Sequence, residues 1–307
     1  MKIRRRGSSL RSHLWRQLHI QGWWRGQAPA TRFVVISTIR SGSTMLVDLI
    51  DAHPGAECFY ELFHIHPDAI PFAKEGYDLL ATRPAALDLR RRDPWAFLQR
   101  YIWAPVHRAG VRAVGFKLHY AQARQDSWWH EGEFAGMWHA CGIPPLYGDR
   151  DHDLWQALRD DREVRIVHLI RRNILASMVS SQTAQRTASW GDQASGGYRS
   201  SDDIRVRIEP GHLRHALQQQ QRFEAEIETW FADHPRLTLT YEELVGQRQQ
   251  QLDRVFDFLG LDRRSIAPTT RKLRTIPLRD SILNLEELAA ACHDILPPSA
   301  FEAYLQE

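Results

Sequence analysis

Apolar positions along this chain alternate between short continuous runs and stretches in which they recur every three or four residues. Phe33-Val34-Val35-Ile36 is a β-branched run with the length of a buried strand. Behind it, Met45–Asp51 places Leu46, Leu49 and Ile50 on one helical face. The succession repeats. Cys58–Phe63 and Val111–Leu118 read as strands, with residues 76–92 as a loop between them. Asp93-Pro94 starts a helix that runs to about Trp103, aspartate at the N-cap and proline at N1 being a start signal. Val164–Ile170 is a further strand, followed by a helix over Ile174–Ala184. A long helix over 211–232 turns Leu213, Leu217, Phe223, Ile227 and Trp230 inward. Leu237–Tyr241 is the last strand, and Gly260 ends a helix over 248–259.

Strands separated by helices predict an α/β fold, a parallel sheet flanked by helices on both faces. Ligands of such sheets bind beyond the carboxyl ends of the strands, and each polar cluster of interest sits at such an end. The expected organisation is an arm over residues 1–30 and one domain over 31–307. Residues 124–160 stand out within it as an irregular insertion, carrying Trp128, Trp129, Trp138 and Trp155 among His130, His139 and His152. That segment is a candidate cap over an acceptor, and residues 191–203 have the composition of a lid.

Charge changes the picture in one place. The net charge is +3, yet no acidic residue precedes Asp48, and residues 1–32 hold eight Lys and Arg. The rest of the chain carries 32 cations against 37 acids. Leu14, Trp15 and Leu18 lie at helical spacing in the basic arm, which suits a helix on an anionic membrane surface or one packed on the domain. An acidic body argues against nucleic acid as partner. Three scattered cysteines form neither a metal motif nor a disulfide framework, so a reducing, cytoplasmic setting is expected. No histidine pair has a compact ligand spacing, and no metal is expected.

The chemistry gathers at Arg40-Ser41-Gly42-Ser43-Thr44, a small-residue turn between strand and helix. Such a turn aims free N–H groups and the positive end of a helix dipole at one point, built for an anionic oxygen cluster. It is P-loop-like but not a Walker A loop, because no lysine follows Gly42. A second strand-to-helix junction carries Arg171-Arg172, with Ser180 about two turns along the next helix. A third basic cluster, Arg271-Lys272-x-Arg274, comes late. Together they point to a nucleotide with phosphates at two separated places.

These segments resemble the bacterial carbohydrate sulfotransferases that use 3′-phosphoadenosine-5′-phosphosulfate (PAPS). The likeness is nearest to the nodulation-factor and lipopolysaccharide enzymes, with trehalose sulfotransferases more distant. It is carried by FVVISTIRSGSTMLVDLIDAHP, CFYELFH, AVGFKLHY, VRIVHLIRRNILASMVSSQTAQ, LTLTYEELV with RVFDFLGL, and RKLRTIPLRDSILN, over roughly residues 32–289. The resemblance implies the sulfotransferase fold, PAPS as donor without a metal, and a saccharide or glycolipid hydroxyl as acceptor. It implies that Arg40 through Thr44 grip the 5′-phosphosulfate, that Arg172 and Ser180 hold the 3′-phosphate, and that Tyr241 lies near the adenine. Arg271 and Lys272 would close over the 3′-phosphate side. The family usually has proline where Ile39 stands.

Sulfuryl transfer is an in-line displacement, so positioning and electrostatics dominate it. Arg40 and the loop N–H groups would stabilise charge on the departing oxygen. Two residues compete as general base. Glu61 ends an apolar strand, where burial would raise its pKa, and stands where related carbohydrate enzymes place a catalytic glutamate. His119 follows Lys117 in a K-x-H spacing resembling the phenol and steroid sulfotransferases, in which histidine is the base. Glu61 is preferred. The rival readings are a divergent P-loop nucleotide kinase or phosphotransferase and a nucleotide-binding module that transfers nothing.

Overall fold

Alternation within β1 (Thr31–Ser37) decides the layering. Val34 and Ile36 face one side of the sheet and Phe33 and Val35 the other, and all four are fully buried. A strand buried on both faces is the pattern of a central parallel strand. In a computed structural model of the chain, it is the middle of a five-stranded sheet ordered β2-β3-β1-β4-β5. The structure describes residues 26–63, 84–104, 107, 109–120, 122, 154–187, 203–267 and 276–306, with Leu18 alone before them.

The other strands are β2 (Ala56–Glu61), β3 (Ala113–His119), β4 (Arg165–Ile170) and β5 (Arg236–Thr240), all paired in parallel. On one face lie α1 (Ser43–Asp51) and, later in the chain, α8 (Arg248–Leu259). On the other lie α2 (Pro84–Arg92), α3 (Pro94–Phe97) with a π turn over Leu98–Ile102, α4 (Leu154–Asp160) and the end of α6 (Pro210–Trp230). A third apolar cluster joins α5 (Ile174–Thr187) to the start of α6, α9 (Leu285–Cys292) and α10 (Pro298–Leu305). The short α7 (Tyr241–Gly246) completes the set.

The expected α/β sheet is the one observed. Three local expectations change. Residues 84–92, read as loop, are α2. Only Ala86 and Arg90 of its nine positions are buried, so no apolar stripe announces it. Its three terminal arginines favour the negative end of the helix dipole, and Arg90 Nη1 donates to Leu62 O. Tyr241 does not end a strand but begins α7, because Thr240 and Glu243 form a capping box. Of the segment 124–160, residues 154–160 form α4, whose Trp155 is buried in the core.

The rest of that segment, the basic arm before residue 26 apart from Leu18, residues 191–202 and Arg271-Lys272-x-Arg274 lie outside the described residues. Among the described residues no helix is long and apolar enough to cross a membrane.

The register matters most at the carboxyl ends. Ser37 pairs with His119, and Glu61 pairs with Lys117. Between Phe59 and Glu61 the register shifts, two residues of β2 spanning one step of β3. Such a bulge re-aims a side chain. It brings Glu61 beside Lys117.

Candidate active site

β1 runs out at Ser37, and five residues later α1 begins. Within this turn Arg40 and Gly42 both hold positive φ, 57° and 81°. Ser41, between them, donates its hydroxyl to Thr38 O at 2.8 Å. Alternating backbone of this kind turns successive N–H groups toward one concave point. Gly42 caps α1 without any side-chain hydrogen bond. The first-turn N–H groups at Ser43 and Thr44 therefore have no partner within the helix. A non-glycine residue in the left-handed region costs energy, and strain of this sort concentrates at ligand sites.

Tyr241 explains the glycine. A Cβ at position 42 would lie 2.4 Å from Tyr241 Cδ2, so the ring lies directly on the loop. Arg171 stacks on that ring with Cζ 4.3 Å from the centroid and donates from Nη1 to Arg40 O at 3.2 Å. Arg40 in turn donates from Nε to Ser180 Oγ at 3.1 Å. The loop after β1 and the helix after β4 thus meet at one place. Burial lowers the Arg40 pKa from its ordinary value, Arg171 lowers it further, and Glu61 acts the other way. Two desolvated cations side by side make a position where an anion is strongly favoured.

On the other side of the loop is a carboxylate with three donors. Lys117 Nζ donates to Glu61 Oε1 at 2.8 Å and to Thr44 Oγ1 at 3.1 Å. His119 Nε2 lies 3.3 Å from the same Oε1, and Gln122 Nε2 donates to Oε2 at 2.9 Å. The other His119 nitrogen, Nδ1, lies 3.3 Å from Ser37 Oγ and 3.2 Å from Ser37 O. The ring thus lies between two acceptors, the Glu61 carboxylate at Nε2 and the Ser37 carbonyl at Nδ1. His119 faces Glu61 through Nε2. The Gln122 amide is fixed from the opposite side, since its Oε1 accepts from His119 N at 3.1 Å.

The expected rise in the Glu61 pKa does not occur. Burial alone would lift it, but the charge and hydrogen bond of His119, and then those of Lys117, outweigh burial. They hold the carboxyl well below the usual carboxylate range.

Arg172 takes an unexpected partner. Its Nη1 donates to Glu224 Oε2 on α6 at 2.7 Å, while Ser180 bonds Arg40. Its backbone is fixed from two elements. Glu242 accepts from Arg172 N at 3.3 Å and from Asn173 N at 3.2 Å. Tyr304 on α10 donates to Arg172 O at 2.6 Å, and Tyr304 O accepts from Asn173 Nδ2 at 2.8 Å.

Residues 32–265 match the sulfotransferase family, more than half of the chain. The chain belongs to that family. Nothing among curated proteins matches significantly. Solved structures of similar fold include a sulfotransferase from Alicyclobacillus acidocaldarius, at 14% identity over 90% of this chain and 95% of that one, TM-score 0.42. A sulfotransferase domain from the curacin biosynthetic pathway matches at 16% identity over 83% of each chain, TM-score 0.40. The sulfotransferase domain of an olefin synthase from Synechococcus PCC 7002 matches at 18% identity over 91% and 93%, TM-score 0.37.

For a sulfotransferase, whose family implies PAPS as donor, the residues present fit that donor. Half-buried Arg40, buried Arg171, which donates to Arg40 O, and the uncapped start of α1 gather at the loop after β1. Arg40, Ser41, Gly42, Thr44, Glu61, Lys117, His119, Ser180 and Tyr241 form one connected cluster. Arg172 stands beside it, turned to Glu224, and Arg271 and Lys272 are outside the described residues. Among the described residues no group of three or more His, Cys, Asp or Glu could hold a metal ion. Sequence reasoning missed Gln122, Ser37, Glu224, Glu242 and Tyr304, and gave Arg171 no task of its own. Only Arg171 left a signal, as the other half of an arginine pair.

Proposed function

We propose that this sulfotransferase moves a sulfuryl group from PAPS to a hydroxyl of a saccharide or glycolipid. The observation that carries the reading is Lys117, which joins Thr44 of the anion-binding loop to Glu61, the candidate base. Donor grip and proton acceptor thereby share one ammonium group. The saccharide or glycolipid acceptor is supported by the resemblance around Glu61.

Bound PAPS would supply an activated sulfuryl group on a phosphate leaving group. Ser43 and Thr44 N–H groups, with Ser41 and Gly42 shaping the turn, would bind the 5′-phosphosulfate. Arg40 would neutralise charge growing on the bridging oxygen, in a site where desolvation magnifies the effect. Arg172 and Ser180 would take the 3′-phosphate, Tyr241 would lie along the adenine, and Arg271 with Lys272 would close over that side. Glu61 would accept the proton of the acceptor hydroxyl. Kept ionised by His119 and Lys117, it would stand as the carboxylate, and proton transfer would complete as the new bond forms. His119 would act here by donating to Glu61. The basic arm over 1–30 would rest on an anionic membrane at its cytoplasmic side, bringing the enzyme to a glycolipid.

Calorimetry with 3′,5′-diphosphoadenosine against ADP tests the donor. Preference for the 3′-phosphorylated compound, lost in Arg172→Ala, is expected; equal affinity for both refutes it. Transfer of labelled sulfate from PAPS to a panel of oligosaccharides and glycolipids tests the acceptor, with Glu61→Gln as the inactive control. Sulfation of simple phenols alone would overturn the acceptor class. Equal sedimentation with anionic and neutral vesicles would remove the membrane role of the arm.

A further inference from the structure

We propose that Glu224 is a built-in counter-ion of Arg172 which the 3′-phosphate of the donor displaces, so that this carboxylate sets how tightly 3′-phosphorylated nucleotides are held. The inference rests on the assignment of Arg172 above and deepens it. The backbone of Arg172 is pinned by Glu242 and Tyr304, so its place is fixed wherever its guanidinium points. That guanidinium lies at the surface, its side chain being 57% exposed. Glu224 is more enclosed: it is 22% exposed, and its second oxygen accepts from Gln220 Nε2, one turn earlier on α6, at 2.7 Å.

An exposed cation thus meets a more enclosed, hydrogen-bonded carboxylate at 2.7 Å. A phosphate arriving at Arg172 comes close to that carboxylate, and like charges at this range repel. Binding is therefore an exchange of one anion for another. An exposed ion pair is weak enough for a dianionic phosphate to win the exchange. The same carboxylate is at hand to take the arginine back when the 3′-phosphorylated product leaves, and release steps often limit turnover. Glu224 acts through Arg172 and is a positioning residue, without contact to the reacting atoms.

The test is calorimetry on the full chain with 3′,5′-diphosphoadenosine and, as the probe lacking a 3′-phosphate, ADP. Glu224→Gln is expected to bind the first about three- to tenfold more tightly and the second unchanged. Glu224→Asp, which draws the charge back by one methylene, should fall between, and in an Arg172→Ala background Glu224→Gln should change nothing. Unchanged or weaker binding of 3′,5′-diphosphoadenosine by Glu224→Gln overturns the inference, as does equal tightening of ADP. If the wild-type chain shows no preference for the 3′-phosphorylated compound and Arg172→Ala leaves its affinity intact, the donor assignment fails and this inference with it.

Discussion

Replacing Lys117 by methionine tests the electrostatics of the site through stability, without needing an acceptor. Methionine keeps the length of the side chain and removes its charge. Lys117 is 3% exposed and makes both the 2.8 Å bond to Glu61 and the 3.1 Å bond to Thr44. Removing one partner of a buried pair costs about 3–5 kcal/mol, because the other charge stays buried. Glu61 retains His119 and Gln122, so the lower end, about 3 kcal/mol at pH 7, is expected. The pH dependence gives the sharper test. In the wild type the folded Glu61 pKa is depressed, so its stabilisation is present above the unfolded value, about 4.3, and fades as pH falls toward the folded one. Between pH 7 and pH 3.5 the wild type loses about 1.2 kcal/mol through this group. In Lys117→Met the stronger lowering influence, His119, remains, so the folded pKa rises only part of the way and somewhat less is lost. Urea denaturation at the two pH values should show the gap between the proteins narrowing, by at most about 1 kcal/mol because His119 still favours the carboxylate. A gap that widens on acidification would refute the placement of Lys117 among the groups that, with His119, hold Glu61 ionised.

Other substitutions probe the donor side. Gly42→Ala must adopt φ 81° and push a Cβ to 2.4 Å from Tyr241, so a loss of about 2–3 kcal/mol in denaturation and at least about tenfold in 3′,5′-diphosphoadenosine affinity is expected; wild-type affinity would show that the loop tolerates displacement of the ring. Tyr304→Phe removes the hydroxyl that holds Arg172 O, worth about 0.5–1.5 kcal/mol, and calorimetry should show a two- to fivefold weakening for 3′,5′-diphosphoadenosine with ADP unchanged. An equal loss for both nucleotides would make Tyr304 a matter of general packing.

What could be read in the chain was what repeats along it. The apolar run of β1, the small-residue turn after it and the Asp93-Pro94 helix start are local signals. Asp93 does cap α3 by accepting from Ala96 N. The position of Glu61 was legible as the end of an apolar run, but its contact with Lys117 depends on the bulge at Tyr60, and its pKa on two residues of another strand. From the sequence only its burial was visible, and burial alone gives the wrong sign. Arg171 and Arg172 are indistinguishable as letters. In space one stacks on Tyr241 under the loop and the other reaches α6, a difference that only the packing of α6 and α7 around the end of β4 creates. Gln122 has no sequence signature at all, because a lone glutamine after a strand means nothing until His119 N and Glu61 lie on either side of its amide.

The three donors on Glu61 also constrain the geometry of transfer. A carboxylate offers about four acceptor directions, two on each oxygen. Among the described residues, Lys117 and His119 fill those of Oε1, and Gln122 fills one on Oε2. The remaining direction belongs to Oε2, so under the proposed role of Glu61 an acceptor hydroxyl would meet that oxygen. The ammonium group then stands between the base and the loop, bonded to Thr44, where charge leaves with the phosphate. If Glu61 is the base as proposed, Lys117 would, with His119, hold it ionised through Oε1 while Oε2 takes the proton, so the two tasks would not compete for the same lone pair.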